Sequence, residues 1–167
     1  MNKKLYLYLS LVFILSLIGF HNFYLILEVI PSGNDKAILA VPVSIGDTFT
    51  IRFTHSVQKT PVDEIFTIKK GLKMVLEETI YSSYGAGLPS EIYGSQQFFL
   101  ENGTFIIRGF DKEFDEIPIF VGAVIANHTL ILGNKEFTLV SFGLAGKSIR
   151  IRLNHYSIIS YIIKYYL

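Results

Sequence analysis

The stretch that most limits how this chain can fold comes first. From Leu5 to Phe20, only Ser10, Ser16 and Gly19 interrupt sixteen residues of apolar side chains. Extended through His21 and Asn22 to Tyr24, the run makes about 30 Å of helix, the thickness of a hydrocarbon core. No polar face of period 3.6 breaks it, so it does not read as a helix of a soluble core. Lys3 and Lys4 precede the run and the next basic residue is Lys36. The positive-inside rule then puts the N-terminus in the cytoplasm and the rest outside. The exit, Gly19-Phe20-His21-Asn22-Phe23-Tyr24, is bulky and aromatic, unlike the small-residue site of a cleaved signal peptide. The expectation is a transmembrane signal anchor over residues 1–23, with the lipid bilayer as its partner. An extracytoplasmic domain over 24–155 and an apolar tail over 156–167 follow.

Charge and cysteine content remove several function classes. Among 167 residues, 15 Lys and Arg face 14 Asp and Glu. That balance lacks the excess of base a nucleic-acid binder needs. There is no cysteine, which excludes a disulfide framework, a thiolate zinc site and an iron–sulfur cluster.

Beyond residue 24 the signals are short and strand-like. Tyr24–Ile30 is apolar and ends at Pro31-Ser32-Gly33-Asn34. Thr48–His55 alternates, with Phe49, Ile51, Phe53 and His55 on one face. Further runs are 37–43, 62–69, 72–81, 98–101, 104–108, 129–132, 136–140 and 149–154. Asn102-Gly103 is a strong hairpin signal, because a type I′ turn needs positive φ at both positions. The expected fold is all-β, an antiparallel sandwich or small barrel of about 8–10 strands. The tail after Tyr156 is too short to span a membrane and reads as a last strand, a docked tail or an interfacial segment.

Two stretches carry more than strand and turn require: His55-Ser56-Val57-Gln58-Lys59-Thr60-Pro61-Val62-Asp63-Glu64, and Ser83-Tyr84-Gly85-Ala86-Gly87-Leu88-Pro89-Ser90-Glu91. By strand phase, His55 continues an apolar face, Glu64 falls with Val62, Phe66 and Ile68, and Glu78 falls with Met74, Leu76 and Ile80. A carboxylate on such a face is costly unless paired. The phase therefore predicts one polar cluster of His55, Glu64 and Glu78 with Lys59. It serves as a structural ion-pair network, a ligand site or a metal site. Adjacent His55 and Ser56 point to opposite faces, so they form no nucleophile–base pair. Gly85-Ala86-Gly87 reads as a tight turn or a small anion nest. Two sequons, at Asn102 and Asn127, are candidate glycosylation sites.

These same stretches resemble a known family. Thr54-His55-Ser56-Val57, Lys59-Thr60-Pro61-Val62 with Glu64, Glu78-Thr79, and Tyr84-Gly85-Ala86-Gly87-Leu88-Pro89 are similar to the signature of domain of unknown function 1850. The resemblance spans roughly 24–154 and is strongest between 48 and 91. It implies a small exported or membrane-anchored prokaryotic protein associated with TRAP transporters of the TAXI class. It points to His55, Lys59, Glu64 and Glu78 as functional positions, and it implies no catalytic activity and no cofactor. The chain departs from the pattern at Tyr84, where phenylalanine is expected, and in its tyrosine-rich end. The leading expectation is an accessory module that meets the transporter's membrane subunit or its solute-binding protein. The alternative is a binder of a small acidic or polar ligand through His55, Lys59 and Glu64, and a more remote one is a metal-dependent hydrolase.

Overall fold

A computed structural model describes residues 3–21, 23–83 and 91–166. Helix α1 (Lys3–His21) precedes strand β1 (Phe23–Pro31), followed by β2 (Leu39–Val43), β3 (Thr48–Thr54), β4 (Pro61–Lys69), β5 (Lys73–Tyr81), β6 (Gln97–Glu101) and β7 (Thr104–Phe114). Then come β8 (Glu116–Phe120), β9 (Thr129–Leu132), β10 (Lys135–Thr138), a 3₁₀ turn (Leu139–Phe142), β11 (Ser148–Ser157) and helix α2 (Ile158–Tyr166). Among the described residues there are eleven strands, against the expected eight to ten. The strand missed in the sequence is β8, whose central Pro118 breaks a strand signal; it survives as an edge, where no ladder donor is needed.

All strand pairs are antiparallel, in two sheets of order β2-β1-β11-β8 and β10-β9-β3-β4-β5-β7-β6. The sheets pack face to face, which decides for the sandwich over the barrel. Leu27, Val29, Ile149 and Ile151 of the smaller sheet meet Phe49, Ile51, Phe66, Ile68 and Met74 of the larger in one buried cluster. The ring of Phe49 stacks on Phe66 at 5.2 Å. A second, smaller cluster of Val62, Tyr81 and Ile107 lies farther along the large sheet, and Phe110 packs against both. The Asn102-Gly103 hairpin is as expected, with φ of 50° and 78°.

The register fixes the two poles of the sandwich. Phe23 pairs with Ser157, so the end of α1 and the start of α2 lie together, and α1 touches both α2 and β11. β2 returns to this pole and a four-residue turn starts β3 there. β3 therefore ends, at Thr54 and His55, at the opposite pole.

Ten large apolar side chains between Leu5 and Leu15 of α1 are exposed. The helix sits where the anchor was expected, and among the described residues no helix is long and apolar enough to cross a membrane. The tail is not an extra strand throughout: β11 ends at Ser157 and α2 docks back over the outer face of the smaller sheet.

Candidate functional site

At the far pole the chain after β3 closes into a tight turn. The His55 amide donates to the Thr60 carbonyl and the Lys59 amide to the His55 carbonyl, both at 2.9 Å. The imidazole is buried, and its Nδ1 accepts from the amides of Val57 (3.3 Å) and Gln58 (3.1 Å). Two amides aimed at Nδ1 require that it carry no proton, so the neutral ring holds its hydrogen on Nε2. Lys59 takes a left-handed φ of 57°, and Ser56 and Lys59 are exposed. The Thr60 hydroxyl meets that of Ser83 at 2.9 Å, tying the turn to the end of β5. From the other side, the Thr54 amide donates to the Ala126 carbonyl, and Phe53 stacks on His128 at 5.4 Å. His128 Nδ1 accepts from the Gly122 amide at 3.4 Å, and burial lowers its proton affinity.

Glu64 occupies the face the sequence predicted, opposite Ile51 on β3 and Thr79 on β5. It sits between Val62 of the small cluster and Phe66 of the large one. Burial pushes its carboxyl above the ordinary range, and the positive charge of Lys112 offsets part of that rise. Lys112 lies opposite Leu76, on the same face of the sheet. Ile51 precedes His55 by four residues, roughly 13 Å of strand. The turn and the carboxylate are thus neighbours along one face but not in one cluster.

Glu78 corrects the expected phase. Ile65 pairs with Glu78 and Phe66 with Leu76, leaving Glu77 as an extra residue in β5. Such a bulge reverses the side on which every later side chain falls. Thr79, buried, takes the place beside Glu64, and Glu78 points to the outer face. There Arg108 Nε donates to its carboxylate at 3.0 Å while the guanidinium lies 5.0 Å from the Phe99 ring. β7 answers with its own irregularity at Gly109–Asp111, where Gly109 (φ 79°) lies so close to the Ser95 carbonyl that a Cβ would come within 2.8 Å.

The expected loop of Tyr84, Gly85, Gly87 and Pro89 falls outside the described residues. Asn102 and Asn127 are both exposed. Among the described residues no group of three or more His, Asp or Glu side chains could hold a metal ion. A cleft of about 450 Å³ opens at the pole of the helices, between β2 and the β9–β10 turn, lined by Val41, Val43, Asp47, Leu132 and Lys135 among others. None of the predicted site residues lines it.

The densest polar cluster was not predicted. Glu28, on the outer face of β1, is fully buried beneath α2. Arg152 Nε donates to it at 2.9 Å, the Tyr156 hydroxyl at 2.8 Å, Lys164 Nζ at 3.0 Å, and the Tyr165 hydroxyl closes the set. Burial pushes the carboxyl up, but these four donors outweigh it and hold it at about 2, against an ordinary 4.5. One sequence signal was available: Glu28 is the single charge in an apolar run. Its partners lie more than 120 residues away, which no local pattern reveals.

No curated protein and no solved structure matches the chain. A family model does: the domain of unknown function DUF1850 covers residues 49–139, more than half of the chain and from β3 through β10. That span holds the His55 turn, Glu64 and Glu78 and stops short of Glu28 and its partners, and the chain belongs to the DUF1850 family.

Proposed function

We propose that this protein is a membrane-anchored, extracytoplasmic β-sandwich that serves as an accessory module of a TRAP transporter of the TAXI class. The observation that carries this reading is its polarity. The exposed apolar surface of α1 lies at one pole and the His55 turn at the other. A helix apolar around its circumference leaves water for lipid at roughly 25 cal/mol per Å² of surface buried, so α1 is held in the bilayer. Lys3 and Lys4 keep its start on the cytoplasmic side. The far pole then points into the aqueous phase, toward the transporter's solute-binding protein or an exposed face of its membrane subunit. Anchoring raises the effective concentration, so a weak contact suffices.

The test is affinity purification of the tagged full chain in mild detergent, together with solute uptake in a deletion strain. Recovery of the transporter with the tag and a loss of uptake are expected. Absence of the transporter at low salt, with uptake unchanged, removes the proposal. A second reading, binding of a small polar solute, draws on Glu64, a half-buried carboxylate beside Thr79 and near the charge of Lys112 on a face that also carries Val62 and Phe66. Calorimetric titration with small carboxylic acids and amines, each repeated on Glu64→Gln, separates it from the first.

A further inference from the structure

Helix α2 is amphipathic the wrong way round for a helix packed on a water-facing domain. Its 3.6-residue turn places Ile158, Ile159, Ile162 and Ile163 on one arc and Tyr161, Lys164 and Tyr165 on the other. The polar arc is the one turned to the sheet. There Lys164 and Tyr165 reach Glu28, and the Tyr161 ring lies 5.0 Å from that of Tyr165. The isoleucines face outward, with Ile158, Ile162 and Ile163 exposed at 37, 46 and 57%. An apolar arc is normally what a helix buries, so rolling about its own axis would seem to favour α2. The Glu28 joint prevents that roll, and the Ser160 amide donates to the Ser157 hydroxyl at 3.1 Å, which caps the helix start. The chain leaves the described residues at Ser83, which is tied to the His55 turn at the opposite pole and on the other sheet.

We infer that α2 is a second membrane contact, its isoleucine arc lying in the headgroup layer of the bilayer that holds α1. The inference rests on the anchored reading above, and three observations name lipid as the cover. Ser157 pairs with Phe23, so α2 starts beside the end of α1, and the two helices touch. From Ile158 to Ile163 the helix rises only about 7.5 Å, comparable to the depth of the headgroup layer that flanks a hydrocarbon core. Tyr24, exposed on the outer face of β1, pairs with Tyr156, and Tyr161 and Tyr165 follow on α2, an aromatic group of the kind that sits at headgroup level. Charge agrees with this placement. Residues 1–27 and 148–167 contain no Asp or Glu that would repel anionic lipid. An ordinary interfacial helix gives its polar face to water, whereas here the domain receives that face on Glu28. The tail is thus docked on one side and interfacial on the other. Two attachments, α1 and α2, restrict the tilt of the sandwich and with it the direction in which the His55 turn points.

Because the chain has no cysteine, single cysteines can carry a polarity-sensitive fluorophore. The full chain with Leu11→Cys, Ile162→Cys, Ser160→Cys or Val57→Cys is reconstituted, with no other protein, into vesicles of phosphatidylcholine and phosphatidylglycerol, with and without a nitroxide on the upper acyl chain. All four positions are exposed, so circular dichroism should match the parent. The label at Ile162 should shift to the blue and lose about half its emission to the nitroxide lipid, as should the label at Leu11. At Ser160, outside the isoleucine arc, the loss should be about half as large, and at Val57, on the far pole, emission should stay as in water. A label at Ile162 that emits as in water, or one quenched no more than that at Ser160, overturns the inference. If the Leu11 label is quenched in that case, the anchored reading stands without it. A label at Leu11 that escapes quenching removes the anchored reading and the inference with it. Self-quenching between Ile162 labels without quenching by lipid would make a second copy the occupant and also overturns it.

Discussion

Two glutamates of the same sandwich have their proton affinities shifted in opposite directions. Glu28 is wholly buried yet held ionised by Arg152, Lys164, Tyr156 and Tyr165. Glu64 is only partly buried, yet its carboxyl is pushed upward because the single charge that offsets its burial is Lys112. Burial alone therefore does not decide the state of a carboxylate; the count of donors around it does. Glu28 fastens the C-terminal helix to the strand that follows α1. A residue kept against local energetics marks a candidate site, whereas one enclosed by its partners marks a structural joint.

Breaking the joint should produce the largest effect. Glu28→Ala leaves two cations over an apolar face, and a loss of about 3–5 kcal/mol is expected in urea unfolding. A loss below about 1 kcal/mol would show that α2 is not fastened this way. The pH profile is the next largest effect. The folded carboxyl of Glu28 lies at about 2, below the ordinary 4.5, so its stabilisation is complete above 4.5 and disappears as pH falls toward 2. That interval should cost about 3 kcal/mol, and the slope should flatten in Glu28→Gln.

Tyr165→Phe removes one donor to a charged acceptor and should cost about 2 kcal/mol. An unchanged midpoint would detach Tyr165 from the network. Glu64 should show the reverse sign. Its folded carboxyl lies above the ordinary value, so the folded state is penalised as pH rises through that range. Glu64→Gln is expected to stabilise the protein at pH 7 by up to about 1 kcal/mol. Destabilisation instead would mean that the carboxylate is satisfied. Glu78→Ala, at a half-exposed pair with Arg108, should be smallest, about 0.2–1 kcal/mol. A larger cost would put Glu78 in the core after all.

Much of the fold was legible because strand alternation and turn chemistry are local. Ten of the eleven strands, the Asn102-Gly103 hairpin and the helix at the start follow from patterns a few residues long. The polar cluster was legible only in part. Glu64 falls in phase with Val62, Phe66 and Ile68, since β4 alternates without interruption, and His55 is buried in the turn that follows β3. Glu78 does not keep its predicted phase, because period-two reasoning carries through a strand only while each residue has one partner. The extra residue at Glu77 breaks that condition, and nothing in Val75-Leu76-Glu77-Glu78-Thr79 announces it.

By itself the sequence determined an apolar first helix, an all-β domain, the family and the turn that carries His55. These depend on neighbours in the chain. Only the tertiary structure decided that α1 and the His55 turn occupy opposite poles, that Glu78 faces outward, and that Glu28 joins a helix at the other end of the chain. Each of these depends on strand register or on contacts between distant parts of the chain, where pairing geometry and desolvation act together and the local sequence specifies neither.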